Sequence, residues 1–110
     1  MSGSQPQGAI FIKTTIAVLS GKWKLLILWH IKDRPQRFGE LKRLIPEVSE
    51  KVLIQQLRGL EKDEIVNRKV EATNPPTVEY SFTEYGRTIL PMMQPLCDWG
   101  EAHLKRLDND

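Results

Sequence analysis

Apolar positions along this chain recur at helical spacing, change to strand-like clusters in the middle, and return to helical spacing at the end. Ile12, Ile16 and Leu19 stand at i, i+4 and i+7, which predicts a short amphipathic helix ending near Ser20-Gly21. From Lys22 to about Lys32 the residues Trp23, Leu25, Leu26, Ile27, Leu28, Trp29 and Ile31 are apolar nearly all round, as expected of a helix enclosed by its neighbours at the centre of a core. Asp33-Arg34-Pro35 ends it, because Pro35 lacks the amide that would continue the ladder and biases Arg34 away from helical angles. Phe38, Leu41, Leu44 and Ile45 predict a third helix over about Gly39 to Ile45, stopped by Pro46. After a short break Ser49 is placed to cap a longer helix reaching about Asp63. Ile65–Glu71 and Thr77–Phe82, rich in β-branched and aromatic residues, flank the turn-forming Ala72-Thr73-Asn74-Pro75-Pro76 and predict a hairpin. Thr83 can cap a last helix, which Pro91 and Pro95 should kink or divide before Met92, Leu96, Trp99, His103 and Leu107 continue as one stripe.

Two helices around so short a break form a helix-turn-helix, and a hairpin behind it completes the order α-α-α-α-β-β-α. The expected fold is therefore mainly α with a small β-hairpin, a winged helix-turn-helix, whose usual partner is DNA. The chain's 110 residues suit one hydrophobic core, read as a single domain over residues 10–110 behind a flexible tail at residues 1–9. The Ser/Gln/Gly/Pro start has neither a basic end nor an apolar signal core, and the longest uncharged apolar run, Leu25 to Ile31, is too short to cross a bilayer. One cysteine, Cys97, cannot form an internal disulfide, and a cytoplasmic protein without a membrane partner is the expectation.

Charge sharpens this picture. The net charge of +2 divides into +1 over residues 1–21, +5 over residues 22–69 and −4 over residues 70–110, so the helix-turn-helix and most of the hairpin are basic. On the fourth helix, at about 100° per residue, Leu53, Leu57 and Leu60 fall on one side. Lys51, Gln55, Arg58 and Lys62 fall at about 140–200° from Leu53, with Ile54 on the flank. Arg in a major groove reaches guanine O6 and N7, Gln the adenine edge, and an apolar residue such as Ile54 a thymine methyl. The candidate base-reading residues are thus Ser49, Lys51, Ile54, Gln55 and Arg58. Candidates for the DNA backbone are Lys22, Arg37, Gly39, Lys62, Arg68, Lys69 and Thr77, although strand alternation sends Arg68 and Lys69 to opposite faces.

Five strings stand in register: Gly21-Lys22-Trp23-Lys24-Leu25-Leu26-Ile27-Leu28; Arg37-Phe38-Gly39-Glu40-Leu41; Leu53-Ile54-Gln55-Gln56-Leu57-Arg58; Pro75-Pro76-Thr77-Val78-Glu79-Tyr80-Ser81 with Thr83-Glu84-Tyr85-Gly86; and Leu96-Cys97-Asp98-Trp99-Gly100. In order and spacing they closely resemble the HxlR-type winged helix-turn-helix regulators, over about residues 10–107. The resemblance implies a bacterial-type cytoplasmic repressor or activator that binds operator DNA as a homodimer through its first and last helices. Where electrophile-sensing members carry a cysteine before the first helix this chain has Ile10, which argues against thiol sensing by that route. Cys97 reads as a small packing residue inside the last helix. A base often follows the Pro-Pro pair in the family, whereas Thr77 stands here, and Gly39 replaces a frequent Ser.

The stripe of Met92, Leu96, Trp99, His103 and Leu107 exceeds what one small core needs, and Ile12, Ile16 and Leu19 offer a matching face. Together they predict a two-fold dimer presenting reading helices about 34 Å apart. Met92, Met93 and Trp99 could in addition line a pocket for a small apolar effector, a partner of unknown identity. His30, His103 and Cys97 form no ligand cluster or nucleophile motif, so no metal, cofactor or enzymatic activity is expected. The reading is a DNA-binding repressor acting as a homodimer on a pseudo-palindromic operator; its alternative is a winged-helix module for protein association. The Lys51/Gln55/Arg58 stripe separates the two.

Overall fold

A computed structural model describes residues 4–109, with side chains from Gln7 onward. Helix α1 spans Ser4–Leu19 and α2 Lys24–Ile31, joined by a bend in which Gly21 takes φ +93°, a backbone angle that a side chain disfavours. Strand β1, Gln36–Arg37, leads into α3, Phe38–Leu44, and after a turn into α4, Glu50–Lys62. Strands β2, Val66–Glu71, and β3, Thr77–Phe82, form the hairpin; a 3-10 turn, Gly86–Ile89, precedes the long helix α5, Leu90–Asp108. No helix among the described residues is long and apolar enough to cross a membrane. The expected order is thus observed: a mainly helical winged helix-turn-helix with a small antiparallel sheet.

The core lies where α2, α3 and α4 meet the inner side of the sheet. Ile27 and Leu28 of α2, Leu41 of α3, and Leu53, Leu57 and Leu60 of α4 are almost completely buried, joined from the sheet by Tyr80 and Phe82. Ile45 and Val48, buried inside the helix-turn-helix break, fix its geometry by their own apolar burial. Ser49 caps α4 as its position predicts, its hydroxyl accepting from the Val52 amide at 3.1 Å. Ser49→Ala should therefore lower stability by about 1 kcal/mol, a shift of about 4–8 °C in Tm measurable by thermal unfolding.

Five features depart from the sequence reading. The first helix begins at Ser4, so residues 4–9 of the expected tail are helical, while residues 1–3 lie outside the described residues. Pro6 falls in the first turn, where the missing amide removes no helical bond. A third strand, β1, joins the hairpin: the sheet order is β1-β3-β2, with Gln36 opposite Tyr80 and Arg37 opposite Glu79. The last helix is not divided. Pro91 sits in the first turn of α5, where it costs little, and Pro95 is accommodated inside one continuous helix. Thr83 caps the 3-10 turn rather than α5, accepting from the Gly86 amide at 2.7 Å and donating to the Glu64 carbonyl at 2.6 Å. Cys97, finally, is exposed instead of packed.

Candidate nucleic-acid interface

Helix α4 owes its placement to its Leu53/Leu57/Leu60 stripe, which the core holds from one side. Lys51, Gln55 and Lys62 consequently project into solvent on the opposite side, and Ser49 is exposed at the helix start. Between these faces lies a third strip that the sequence reading did not separate. Glu50, Ile54, Arg58 and Glu61, at i, i+4, i+8 and i+11, face the sheet across a cleft of about 580 Å3. Arg58 is exposed at the rim of this cleft, between the outward stripe and the strip facing the sheet. Ile54 is half-buried and lines the cleft with Phe38, Val78 and Tyr80, which corrects its expected free exposure on the flank. The cause is the hairpin, whose strands pack beside α4 and cover that flank.

Register settles the two bases of β2. Arg68 lies opposite Tyr80, itself opposite Gln36, so this cross-strand row faces α4 and Arg68 lines the cleft with Arg58. Lys69 lies opposite Glu79, and Glu79 opposite Arg37, so that row faces the other way. Lys69 is thereby removed from the α4 side, as alternation requires of one of the pair. Burial pushes the Tyr80 phenol above its ordinary pKa, and the Arg68 guanidinium at its hydroxyl opposes that shift without cancelling it. Tyr80 therefore stays a neutral phenol beside two arginines and two glutamates.

The other backbone candidates are distributed around this centre. Lys22 is exposed in the bend before α2, its ammonium 4.8 Å from the centre of the Trp23 ring. Arg37 and Gly39 are exposed at the start of α3, with Thr77 half-buried across from them at the root of the hairpin. The Arg37 amide donates to the Glu40 carboxylate at 2.8 Å, and that bond holds Glu40 below the usual carboxylate range. An anion at Gly39 would therefore be met by side chains more than by this amide. Sequence reasoning missed Phe38, Glu50, Glu61, Val78 and Tyr80 as lining residues, although the i, i+4, i+8, i+11 spacing of the α4 strip was already visible.

The exposed apolar face that the sequence reading assigned to a dimer is larger than expected and differs at one position. Ile12 and Ile16 on α1 and Met92, Leu96, Trp99, His103 and Leu107 on α5 are exposed, with Trp99 and His103 stacked at 4.9 Å. Leu19 is instead buried in its own domain's core, because α1 ends against that core. Ile10, Phe11 and Leu104 add exposed apolar surface away from the expected stripes. Met92, Met93 and Trp99 do not form one pocket. Met93 lines a groove of about 320 Å3 with Leu25, Leu26, Trp29, Leu96 and Cys97, whereas Met92 packs toward α1 and Trp99 lies in neither place.

The HxlR-like helix-turn-helix family matches residues 18–108 of this sequence. The chain belongs to that family. It is 42% identical over 97 residues to the HTH-type transcriptional regulator YdeP of Bacillus subtilis, covering 88% of this chain and 76% of YdeP. To the HTH-type transcriptional regulator YtcD of the same organism it is 45% identical over 101 residues, 92% of this chain and 80% of YtcD. Among solved structures, the redox regulator HypR in its reduced form superposes with a TM-score of 0.83 at 40% identity, covering 90% of this chain and 98% of HypR. This HxlR-like protein is thus a helix-turn-helix transcriptional regulator, in a family of regulators and not of enzymes.

Proposed function

We propose that this HxlR-like regulator is a repressor that binds a pseudo-palindromic operator as a homodimer, with one α4 in each of two successive major grooves. The observation that carries this reading is the outward stripe of α4, where Lys51, Gln55 and Lys62 stand free of the core with Arg58 at the cleft rim. Lys51, Gln55 and Arg58 read bases, and Ser49, whose acceptor capacity serves Val52, retains its O–H to donate at the helix start. Ile54 contributes through the cleft wall. Lys22, Arg37, Gly39, Lys62, Arg68 and Thr77 supply contacts to the backbone on either side, and Lys69 acts only through long-range charge.

Dimerisation is supported by shape as well as by exposure. The radius of gyration is 16.5 Å, against about 13 Å for a compact domain of this size, because α1 and α5 extend beyond the core. Helix α1 is apolar on several sides at once, the pattern of a helix enclosed by neighbours that one chain does not provide. Repression requires no further surface, since a dimer occupying a promoter excludes polymerase by occupancy alone.

Gln55→Ala and Arg58→Ala should each weaken operator binding by about 1–3 kcal/mol and relax sequence preference locally, with random-duplex affinity much less affected. Selection of bound duplexes from a genomic pool, followed by gel-shift titration, tests the reading. A protein that bound no sequence better than random duplex would sink it.

A further inference from the structure

A second cleft, of about 500 Å3, lies between α3 and the root of the hairpin, with Arg37, Gly39, Glu40 and Arg43 on one wall and Pro76 and Thr77 on the other. It adjoins the α4 cleft, since Phe38 and Val78 line both. The two neighbouring bases at the end of α3 behave differently. Lys42 serves the turn after the helix, its ammonium donating to the Pro46 carbonyl at 3.2 Å. Arg43 instead folds back one turn, and its Nη1 lies 3.9 Å from where a Cβ on Gly39 would stand.

The charges are not spent within the protein. Among the described residues the ion pairs are Lys32–Asp33, Arg34–Glu40 and Lys105–Glu101, so neither Arg37 nor Arg43 is in one. Glu40 is engaged by the Arg37 amide and, at 3.4 Å, by Arg34. Glu79, opposite Arg37 across the sheet, is opposite Lys69 as well. Two guanidiniums and a glycine surface bare of side chain remain along one open trough, beside the Thr77 hydroxyl, which lies 3.4 Å from that of Thr73. Guanidinium forks match phosphate oxygens in geometry and charge.

We infer that Arg43, together with Arg37 and Thr77, holds a phosphodiester of the DNA backbone in this cleft. From there the strand passes over Phe38 and Val78 toward Arg58 and Arg68 in the α4 cleft. This assignment rests on the proposed DNA-binding function and adds Arg43 to it. The contact carries no base information: it anchors the duplex while α4 reads it.

The test is duplex binding by wild type and Arg43→Gln between 50 and 200 mM salt, on the selected operator and on random duplex. Removing one phosphate contact per subunit should reduce the slope of log K against log salt by about 0.9 per contact. Extrapolated to equal binding at 1 M salt, that slope change gives about an eightfold loss per contact at 0.1 M, the same on both duplexes. Arg43→Lys should keep the slope, since charge is retained. Gly39→Val, which fills the bare surface without changing charge, should weaken both duplexes while leaving Tm intact; it also carries the test if Arg43→Gln fails to fold. An unchanged slope in Arg43→Gln, beside a wild type that still prefers its operator, overturns this contact and leaves the regulator reading standing. A loss confined to the operator overturns it too, since that would be base reading. A wild type that binds no duplex overturns both.

Discussion

Gly86→Ala should be the most damaging single methyl added to this protein. A Cβ at Gly86 would stand 2.1 Å from the Ile65 carbonyl oxygen, 2.9 Å from its carbon and 3.0 Å from Cδ1 of Phe82. The first two are backbone atoms and cannot swing aside. The carbonyl is also committed, because it accepts from the Thr83 amide at 3.0 Å, with the Thr83 hydroxyl oxygen 3.2 Å away. Any displacement of Gly86 also strains the hydrogen bond that its amide donates to the Thr83 hydroxyl, so the turn has no soft direction in which to yield. Overpacking of this kind reaches the upper end of its range, about 3 kcal/mol or more. At about 4–8 °C per kcal/mol for a small domain, Tm should fall by about 12 °C or more in a thermal scan. A midpoint within about 2 °C of wild type would show that the turn relaxes in a way this packing denies.

Trp99→Glu should convert the protein to a monomer and remove operator binding without unfolding the domain. Trp99 is 68% exposed, stacks on His103 of its own helix, and is absent from the core. Its loss therefore leaves the core intact, and Tm of the monomeric fold should hold. Across a two-fold interface the same ring would bury about 150–250 Å2, and a carboxylate in its place would be desolvated without a partner. Leu104→Glu, at another exposed position of α5, should act in the same direction. Once the two reading helices are unlinked, the gain from simultaneous binding is lost, so affinity should drop by about 100-fold or more. Light scattering behind size exclusion, with gel shifts on one operator, reads both consequences. A Trp99→Glu protein that remained dimeric and bound normally would move the interface off α5.

The sequence was most legible where local chemistry and apolar period agree. Ser49 caps α4 because a hydroxyl before a helix meets an unpaired amide whatever lies around it, and Leu53, Leu57 and Leu60 are buried because they share a side of that helix. Strand β1 was not legible. Two residues after Pro35 carry no alternation, and Gln36 becomes a strand residue only by pairing with Tyr80, far along the chain. Leu19 shows the same limit from the opposite side: its spacing with Ile12 and Ile16 is correct, but periodicity does not say which end of a stripe meets which core.

For the candidate site, the sequence by itself determined which residue types sit on which side of α4, because a helix's angular order follows from its rise and turn alone. It likewise determined the basic block and the membership in a helix-turn-helix family, through strings whose spacing survives as sequence. Only the tertiary structure decided that Ile54 and Arg58 face a cleft, that Arg68 rather than Lys69 joins them, and that Arg43 turns back over Gly39. Those facts depend on where the hairpin packs against α3 and α4. That placement is set by contacts between residues distant in the chain, which no local period encodes.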